Sequence, residues 1–398
     1  MELLKKHRSE LAIFILLLIS GNPLFTGKFN ILYALIIIII LYNTSIKQEF
    51  FKKLFPIILF FSIIFYFQQQ VLGFVSVLGA LRFILILSTG GLIIYHLKND
   101  FPLAFFKVLY FISFIGLFFY FYDVITGGSM YNHSLITNGN VHSFIIYTPF
   151  IDIQLYRNCG MFWEPGAFSG IIALCFALNI NNTTTIFREH KFKLFVLIFS
   201  LLSTQSTTGY ISIFIIISYY FIFILRNKFI GISLIPIIIL FFIYIYKNTD
   251  FLEEKINDQT ETALDQGEDF SNTRFGSLLF DSYYIKKHPL IGNGMSEKTR
   301  YADHSFLQQR VMMGENLGNG NGFSNFLACM GVLSTLFYFI WIYKAAIKQK
   351  KKYAFLLLLV ILINLQGEPW MNYPIYLSLM LLNFTNENST DCDTNNML

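Results

Sequence analysis

A cation and a carboxylate stand seven residues apart in the run Tyr156-Arg157-Asn158-Cys159-Gly160-Met161-Phe162-Trp163-Glu164-Pro165-Gly166, just before the chain turns apolar again. A guanidinium is a planar, permanently charged fork suited to a diphosphate, and a carboxylate within reach can take a proton from a hydroxyl. Pro165 suits the first position of a helix, which places Glu164 at the positive end of that helix's dipole. Helix capping with an interfacial arginine explains the same residues. For Glu164 alone that plainer reading is the better one, and Arg157 beside Gly160 and the aromatics tips the pair toward a site.

A second group lies further on: Ser271-Asn272-Thr273-Arg274-Phe275-Gly276, then His288-Pro289-Leu290-Ile291-Gly292-Asn293-Gly294, then Gly318-Asn319-Gly320-Asn321-Gly322. Glycine-rich turns let backbone amides approach an anion, and Arg274 adds a second fork. On the residues alone, however, the glycines mark turns and Arg274 pairs with an acidic neighbour such as Asp269 or Asp281. Besides Glu164, ranked first as a base, His304 in Asp303-His304-Ser305 ranks second, and His288 is a further candidate. Arg82 sits inside an apolar segment near its outer end, where an ionisable side chain is costly and often functional, although snorkelling explains it nearly as well. Glu368-Pro369-Trp370 reads as interfacial aromatics closing a turn, and Asp391-x-Asp393 lies in a short polar tail. No metal and no cofactor is expected. The four cysteines, Cys159, Cys175, Cys329 and Cys392, match no metal spacing, and only Cys159 falls in an outer loop, so no disulfide framework is expected.

What positions these residues is a membrane. The chain is 55% hydrophobic and 13% charged over 398 residues, against about a quarter charged in soluble proteins. Apolar segments recur at about 11–26, 30–43, 54–70, 74–95, 103–124, 166–181, 192–205, 209–225, 229–246, 322–343, 353–366 and 374–384. The basic start Lys5-Lys6-His7-Arg8 is followed by no small-residue cleavage site and reads as the flank of a retained first helix. Alternate short connections carry nearly all the basic residues, among them Lys47, Lys52, Lys53, Arg188, Lys191, Lys193 and the cluster from Lys344 to Lys352, whereas the opposite ones carry almost only Lys28 and Arg157. The positive-inside rule therefore predicts an all-α integral membrane protein of about 12 transmembrane helices forming a single domain over 1–398, with both termini cytoplasmic. Two long external loops follow, about 123–165 and 248–321, with short amphipathic helices expected in the larger one, including one over Arg274 to Tyr284. The formal charge of +5 is scattered through loops, which argues against nucleic acid.

Arg157-x-x-Gly160-x-Phe162-x-Glu164-Pro165 resembles the signature of the Wzy-type O-antigen and capsule polymerases and the related O-antigen ligases. The likeness continues through Ser206-Thr207-Thr208-Gly209, through Arg274 followed by His288 to Gly294, and through Asn321-Gly322 ten residues before Gly331, covering about residues 150 to 345. The resemblance implies a GT-C-like glycosyltransferase of the bacterial plasma (inner) membrane. Such an enzyme joins glycan units carried on undecaprenyl diphosphate at the periplasmic face, without metal or nucleotide. It further implies that Arg157 and Arg274 hold the donor diphosphate, a role that Arg82 joins from its own place in an apolar segment; on the chemistry, Glu164 or His304 is expected to serve in catalysis, with Gly160, Pro165, His288, Gly292 and Asn321 supporting the loops. The partners so implied are a lipid-linked donor and acceptor, membrane lipids and a chain-length regulator. Ligases of the family carry His-Asn where this chain has Gly320-Asn321, which favours a polymerase over a ligase; a lipid-linked oligosaccharide flippase or other transporter is the rival of a different class. A transporter should carry charges deep in several spans, and apart from Arg82 the charges lie in loops.

Overall fold

The computed structural model describes residues 2–25, 46–136, 141–152, 155–225, 274–304, 307–309, 320–348 and 351–386, with a few isolated positions between them. Its elements are α1 (Glu2–Gly21), α2 (Gln48–Leu72), α3 (Val77–Leu97), α4 (Phe101–Thr126), α5 (Ser129–His133), α6 (Pro165–Leu178), α7 (Thr183–Glu189), α8 (Lys191–Ser203), α9 (Thr207–Tyr219), α10 (Arg274–Lys287), α11 (Glu297–Arg300), α12 (Gly322–Ile347), α13 (Lys351–Leu365) and α14 (Pro374–Ser378). Four stretches are long and apolar enough to cross a membrane: α2, the 50 residues Val77–Thr126 interrupted at Lys98, Thr207–Ile224, and α12. A fifth arises if the bent pair Pro165–Leu178 and Ile180–Glu189 counts as one span.

Twelve spans are therefore not reproduced among the described residues. The expected segments 30–43 and 229–246 fall largely outside them, as does the acidic stretch 250–269. Segment 192–205 forms only the 13-residue α8, and 374–384 forms the five-residue α14 continued as 3-10 helix. The expected helix over Arg274 to Tyr284 is present as α10, longer by one turn. The segment between α5 and α6 departs from an all-helical reading by carrying two two-stranded antiparallel pairs, Leu135–Ile136 with His142–Ser143 and Ile151–Asp152 with Leu155–Tyr156.

Helix α6 is the axis of the fold. Every one of its 14 residues is buried, as expected of a helix apolar all round, and α4, α9 and α13 pack around it. Small residues permit that approach: a Cβ on Gly209 of α9 would lie 2.5 Å from the Ser169 Cβ of α6. Pro165 takes the first helical position with Glu164 as extended N-cap, as the sequence predicts.

Helix α12 is broken at Gly331, whose φ of 75° and ψ of 173° leave the helical region. A break strands the Ala328 and Cys329 carbonyls and the Val332 and Leu333 amides, which in a membrane must find partners. The turn 288–294 supplies all four. Ala328 accepts from the Asn293 amide at 2.8 Å, Cys329 from the Gly294 amide at 2.9 Å, and the Val332 and Leu333 amides donate to the Pro289 and Leu290 carbonyls at 2.8 and 3.2 Å. Gln68 of α2 closes the splice from outside, its amide nitrogen donating to the Ile291 and Cys329 carbonyls at 2.6 and 2.9 Å. Gly292 has φ +74°, and a Cβ there would lie 2.5 Å from the Cys329 carbonyl carbon.

Gly292→Ala should consequently destabilise the protein several-fold more than Gly73→Ala. Gly73 has φ +71° with nothing within 4 Å of its virtual Cβ, so that change carries only the left-handed cost of about 1–2 kcal/mol. Thermal unfolding of the two detergent-purified variants measures the difference, and equal losses would mean that the turn is not seated in α12.

Candidate functional site

A cavity of about 630 Å³ opens between α2, α3 and the segments 294–299 and 369–374. Apolar side chains, Phe65, Phe83 and Ile86 among them, form one part of its wall; Gln68, Ser76, Arg82, Glu297, Thr299 and Asn325 give it a polar part. Arg82 stands in the second turn of α3, half-buried, and none of the described residues hydrogen-bonds or ion-pairs with its guanidinium. A cation on an apolar helix that no described residue pairs is costly unless an anion visits.

Arg157 has a different situation. It is 4% exposed, with Nε donating to the Thr204 carbonyl at 3.1 Å and Nη2 to the Gln205 carbonyl at 3.0 Å. The guanidinium thus satisfies carbonyls at the C-terminus of α8, where the dipole favours a cation. It lies immediately before the Ser206 cap of α9, so two segments of the sequence signature meet here. Gly160, at φ +54°, lies against Phe168 of α6, where a Cβ would come within 2.9 Å of the ring. Cys159 is fully buried in this turn, and burial pushes its thiol well up, so it is a packed side chain and not a nucleophile.

Glu164 is joined by a second carboxylate. The Oε1 atoms of Glu164 and Glu368 lie 2.9 and 3.0 Å from the position a Cβ would occupy at Gly166, side by side over the first turn of α6. Glu368 is buried, and its Oε2 accepts from the Trp163 indole at 2.8 Å. Trp163 stacks on Tyr373 at 5.2 Å, and Pro369 and Tyr373 form part of the cavity wall, so the carboxylate pair adjoins the Arg82 cavity. The helix dipole of α6 supports negative charge at this point.

Residues 274–304 are folded around an ion pair that spacing alone did not single out. Arg300 of α11, 3% exposed, pairs with the fully buried Asp281 of α10, and Asp281 accepts from the Ser324 hydroxyl of α12. The Arg300 guanidinium also faces the rings of Phe280, Tyr284 and Tyr301 at 4.7 to 5.6 Å. Burial raises both phenols to about 12 for Tyr284 and Tyr301. His304 belongs to this cluster, its Nδ1 2.7 Å from the Tyr284 hydroxyl, and it makes no described contact with Glu164 or Arg82. Asp303 beside it is held below the usual carboxylate range by the hydrogen-bonding Lys287 ammonium. His288 is pulled down first by burial and then by Lys287, favouring the neutral ring, and its carbonyl accepts from Gly292 at 2.9 Å. Asn321 caps α12 through the Ser324 amide at 3.0 Å and donates to Gln366 at 3.2 Å, tying the second loop to the turn that carries Glu368. Arg274 opens α10, and its side chain lies outside the described residues, as does the Asp391-x-Asp393 tail. Among the described residues no three His, Cys, Asp or Glu side chains group as metal ligands.

Residues 192–339, from α8 through the break in α12, match the family model described as O-antigen ligase. The chain carries an O-antigen ligase family domain. No curated protein matches the chain. The O-antigen ligase domain includes the α8 end bound by Arg157, the Arg274, Asp281 and Arg300 loop, the 288–294 turn and Asn321, while Arg82, Glu164 and Glu368 lie outside the matched span. Together with the apolar helices, the match over residues 192–339 supports a membrane protein similar to the O-antigen ligases and polymerases.

Glu368 and Arg300 are the site-forming residues that spacing alone passes over. The signal for Glu368 is the Glu-Pro pair flanked by tryptophan that it shares with Trp163-Glu164-Pro165, the tryptophan preceding the pair there and following it in Glu368-Pro369-Trp370. Because Arg157 is spent on backbone carbonyls, Arg157→Ala should lose stability together with activity. Removing two charge-assisted bonds of about 1.5–3 kcal/mol each leaves α8 uncapped. Arg82→Ala should leave the melting temperature nearly unchanged. Thermal unfolding of both purified variants checks this, and an unchanged melting temperature for Arg157→Ala would return Arg157 to the list of ligand-binding cations.

Proposed function

We propose that this protein is a polysaccharide polymerase, joining glycan repeat units carried on undecaprenyl diphosphate at the outer face of the bacterial plasma membrane, with both of its termini cytoplasmic. The observation that carries the reading is Arg82: a guanidinium without a partner among the described residues, in a cavity of about 630 Å³ that is apolar on one side and polar on the other. A lipid diphosphate has that same division, an apolar chain beside a dianionic head bearing sugar. The O-antigen ligase family domain supports a glycosyl-transferring enzyme of this kind.

In this reading Arg82 grips the donor diphosphate, with Arg274 at the head of α10 as a second cation and Arg157 holding the frame. Transfer breaks the bond between the donor sugar's anomeric carbon and the diphosphate oxygen and forms one from that carbon to an acceptor hydroxyl oxygen. The leaving diphosphate gathers negative charge, which a preorganised guanidinium stabilises more than it stabilises the ground state. Glu164, beside Glu368 and the Trp163 and Tyr373 rings, takes the acceptor's proton; the rings offer a stacking face for an acceptor sugar. His304, engaged by Tyr284, belongs to the loop's architecture in this scheme. No metal and no cofactor enters. The lipid-linked acceptor and a chain-length regulator are the partners this activity calls for.

Ligase activity is the second reading, favoured by the description of the matched family. Gly320 stands where ligases of the family place a histidine, which favours polymerisation. Deleting the gene in its host separates the readings. Single lipid-linked repeat units are expected; long unattached lipid-linked chains would mean a ligase, and repeats trapped on the cytoplasmic face a flippase. In the complemented strain, Arg82→Ala should lower polymer formation about 100-fold or more and Arg82→Lys less, since lysine keeps the charge and loses the fork. Normal polymer from Arg82→Ala at unchanged protein level would remove Arg82 from the reaction.

A further inference from the structure

Gln68 is fully buried in the last turns of α2 and belongs to the wall of the Arg82 cavity. Its amide orientation is determined by its surroundings. The nitrogen faces two carbonyl oxygens, Ile291 at 2.6 Å and Cys329 at 2.9 Å, and turning the amide over would set oxygen against oxygen at both. The other end, Oε1, is therefore an acceptor, and no described residue donates to it. A buried acceptor without a donor is unfavourable, and natural proteins keep such groups where a ligand or water completes them. Near Oε1 stand Gly294, whose virtual Cβ is 3.9 Å away, and Thr299 beyond it; Ser76, Glu297 and Asn325 complete the polar part of the same cavity. These groups are hydroxyls, an amide and a carboxylate, the set that hydrogen-bonds sugar hydroxyls, and they lie in the cavity that also holds the cation for a diphosphate.

We propose that Gln68 is a specificity-determining residue for the donor, its Oε1 accepting a hydrogen bond from a hydroxyl or acetamido N–H of the sugar attached to the diphosphate. This rests on the donor reading of the Arg82 cavity. The same side chain thereby joins the splice in α12 to recognition of the sugar, one end of its amide holding the protein and the other the substrate. Gly294, with φ +79°, leaves the space beside Oε1 and Thr299 open, since a Cβ there would lie 2.8 Å from the Thr299 hydroxyl.

The test measures binding of two probes to detergent-purified protein: undecaprenyl diphosphate alone, and the lipid-linked glycan extracted from the host deleted for this gene. The wild type should prefer the glycan-bearing lipid. Gln68→Leu should cut that preference about 2- to 12-fold, the worth of one net hydrogen bond of roughly 0.5–1.5 kcal/mol, while Arg82→Ala should weaken both probes alike. Gln68→Leu lowers thermal stability in either case, since it removes the two splice bonds; if Gln68 serves only the α12 splice, the variant leaves the preference intact, with both probes bound as before or weakened equally. That result, or the same preference in a folded variant because water alone fills the site, overturns the Gln68 proposal and leaves the donor reading standing. If neither probe binds the wild type, or Arg82→Ala binds both as tightly, the donor reading itself has failed, whatever Gln68 does.

Discussion

The organisation of this molecule depends on a broken helix that had to be repaired. Gly331 interrupts α12, and the four backbone groups released there are taken up one for one by the turn 288–294. In water such a break could be solvated; within an apolar layer it requires protein partners. The repair fixes more than α12. It binds the turn 288–294 to an apolar helix, recruits Gln68 from α2, and brings Gly294, Met295, Ser296, Glu297 and Thr299 to the wall of the cavity that also contains Arg82. Two glycines with positive φ, Gly292 and Gly331, meet at the splice, where neither tolerates a Cβ.

Around that splice the arginines divide by what they touch. Arg157 is held by the Thr204 and Gln205 carbonyls, and Arg300 by Asp281 within an aromatic box. Both stabilise loops that would otherwise expose buried polar groups. Arg82 has no such partner among the described residues. A buried, paired arginine has already exchanged water for protein, so offering it to a substrate would mean breaking what it holds. An unpaired one at a cavity wall is preorganised for an incoming anion. The carboxylates segregate likewise: Asp281 is locked with Arg300 and Ser324, whereas Glu164 and Glu368 meet over the first turn of α6 beside the cavity's rim.

What could be read from the sequence, and what could not, follows from the range of the interactions. Pro165 after Glu164 specifies a helix start locally, and the structure has it there. The His288 to Gly294 run reads as turns, which it forms, but its insertion into α12 depends on a glycine 37 or more residues downstream and on Gln68 from another helix, contacts with no periodicity to reveal them. Glu368 was assigned to an interfacial turn because its partner Trp163 is 205 residues away. Arg300 sits in a four-residue helix whose sequence gives no sign that it will be buried. Hydropathy marked segments that the structure carries in stretches long enough to cross a membrane, 54–70, 74–95, 103–124, 209–225 and 322–343, whereas 192–205 and 374–384 form only the short α8 and α14, and α6 bends by 59° into its successor. Apolarity reports burial, and a helix buried in protein looks the same as one buried in lipid.

The central claim is that the Arg82 cavity receives a lipid diphosphate, and the most direct measurement is a structure of the purified protein, by electron cryomicroscopy in lipid nanodiscs, with undecaprenyl diphosphate bound. The account predicts phosphate density within hydrogen-bonding distance of the Arg82 guanidinium, with the prenyl chain along the wall formed by Phe65, Phe83 and Ile86. A diphosphate seated elsewhere, with Arg82 turned to the membrane interface and the cavity empty or filled by an acyl chain, would contradict it.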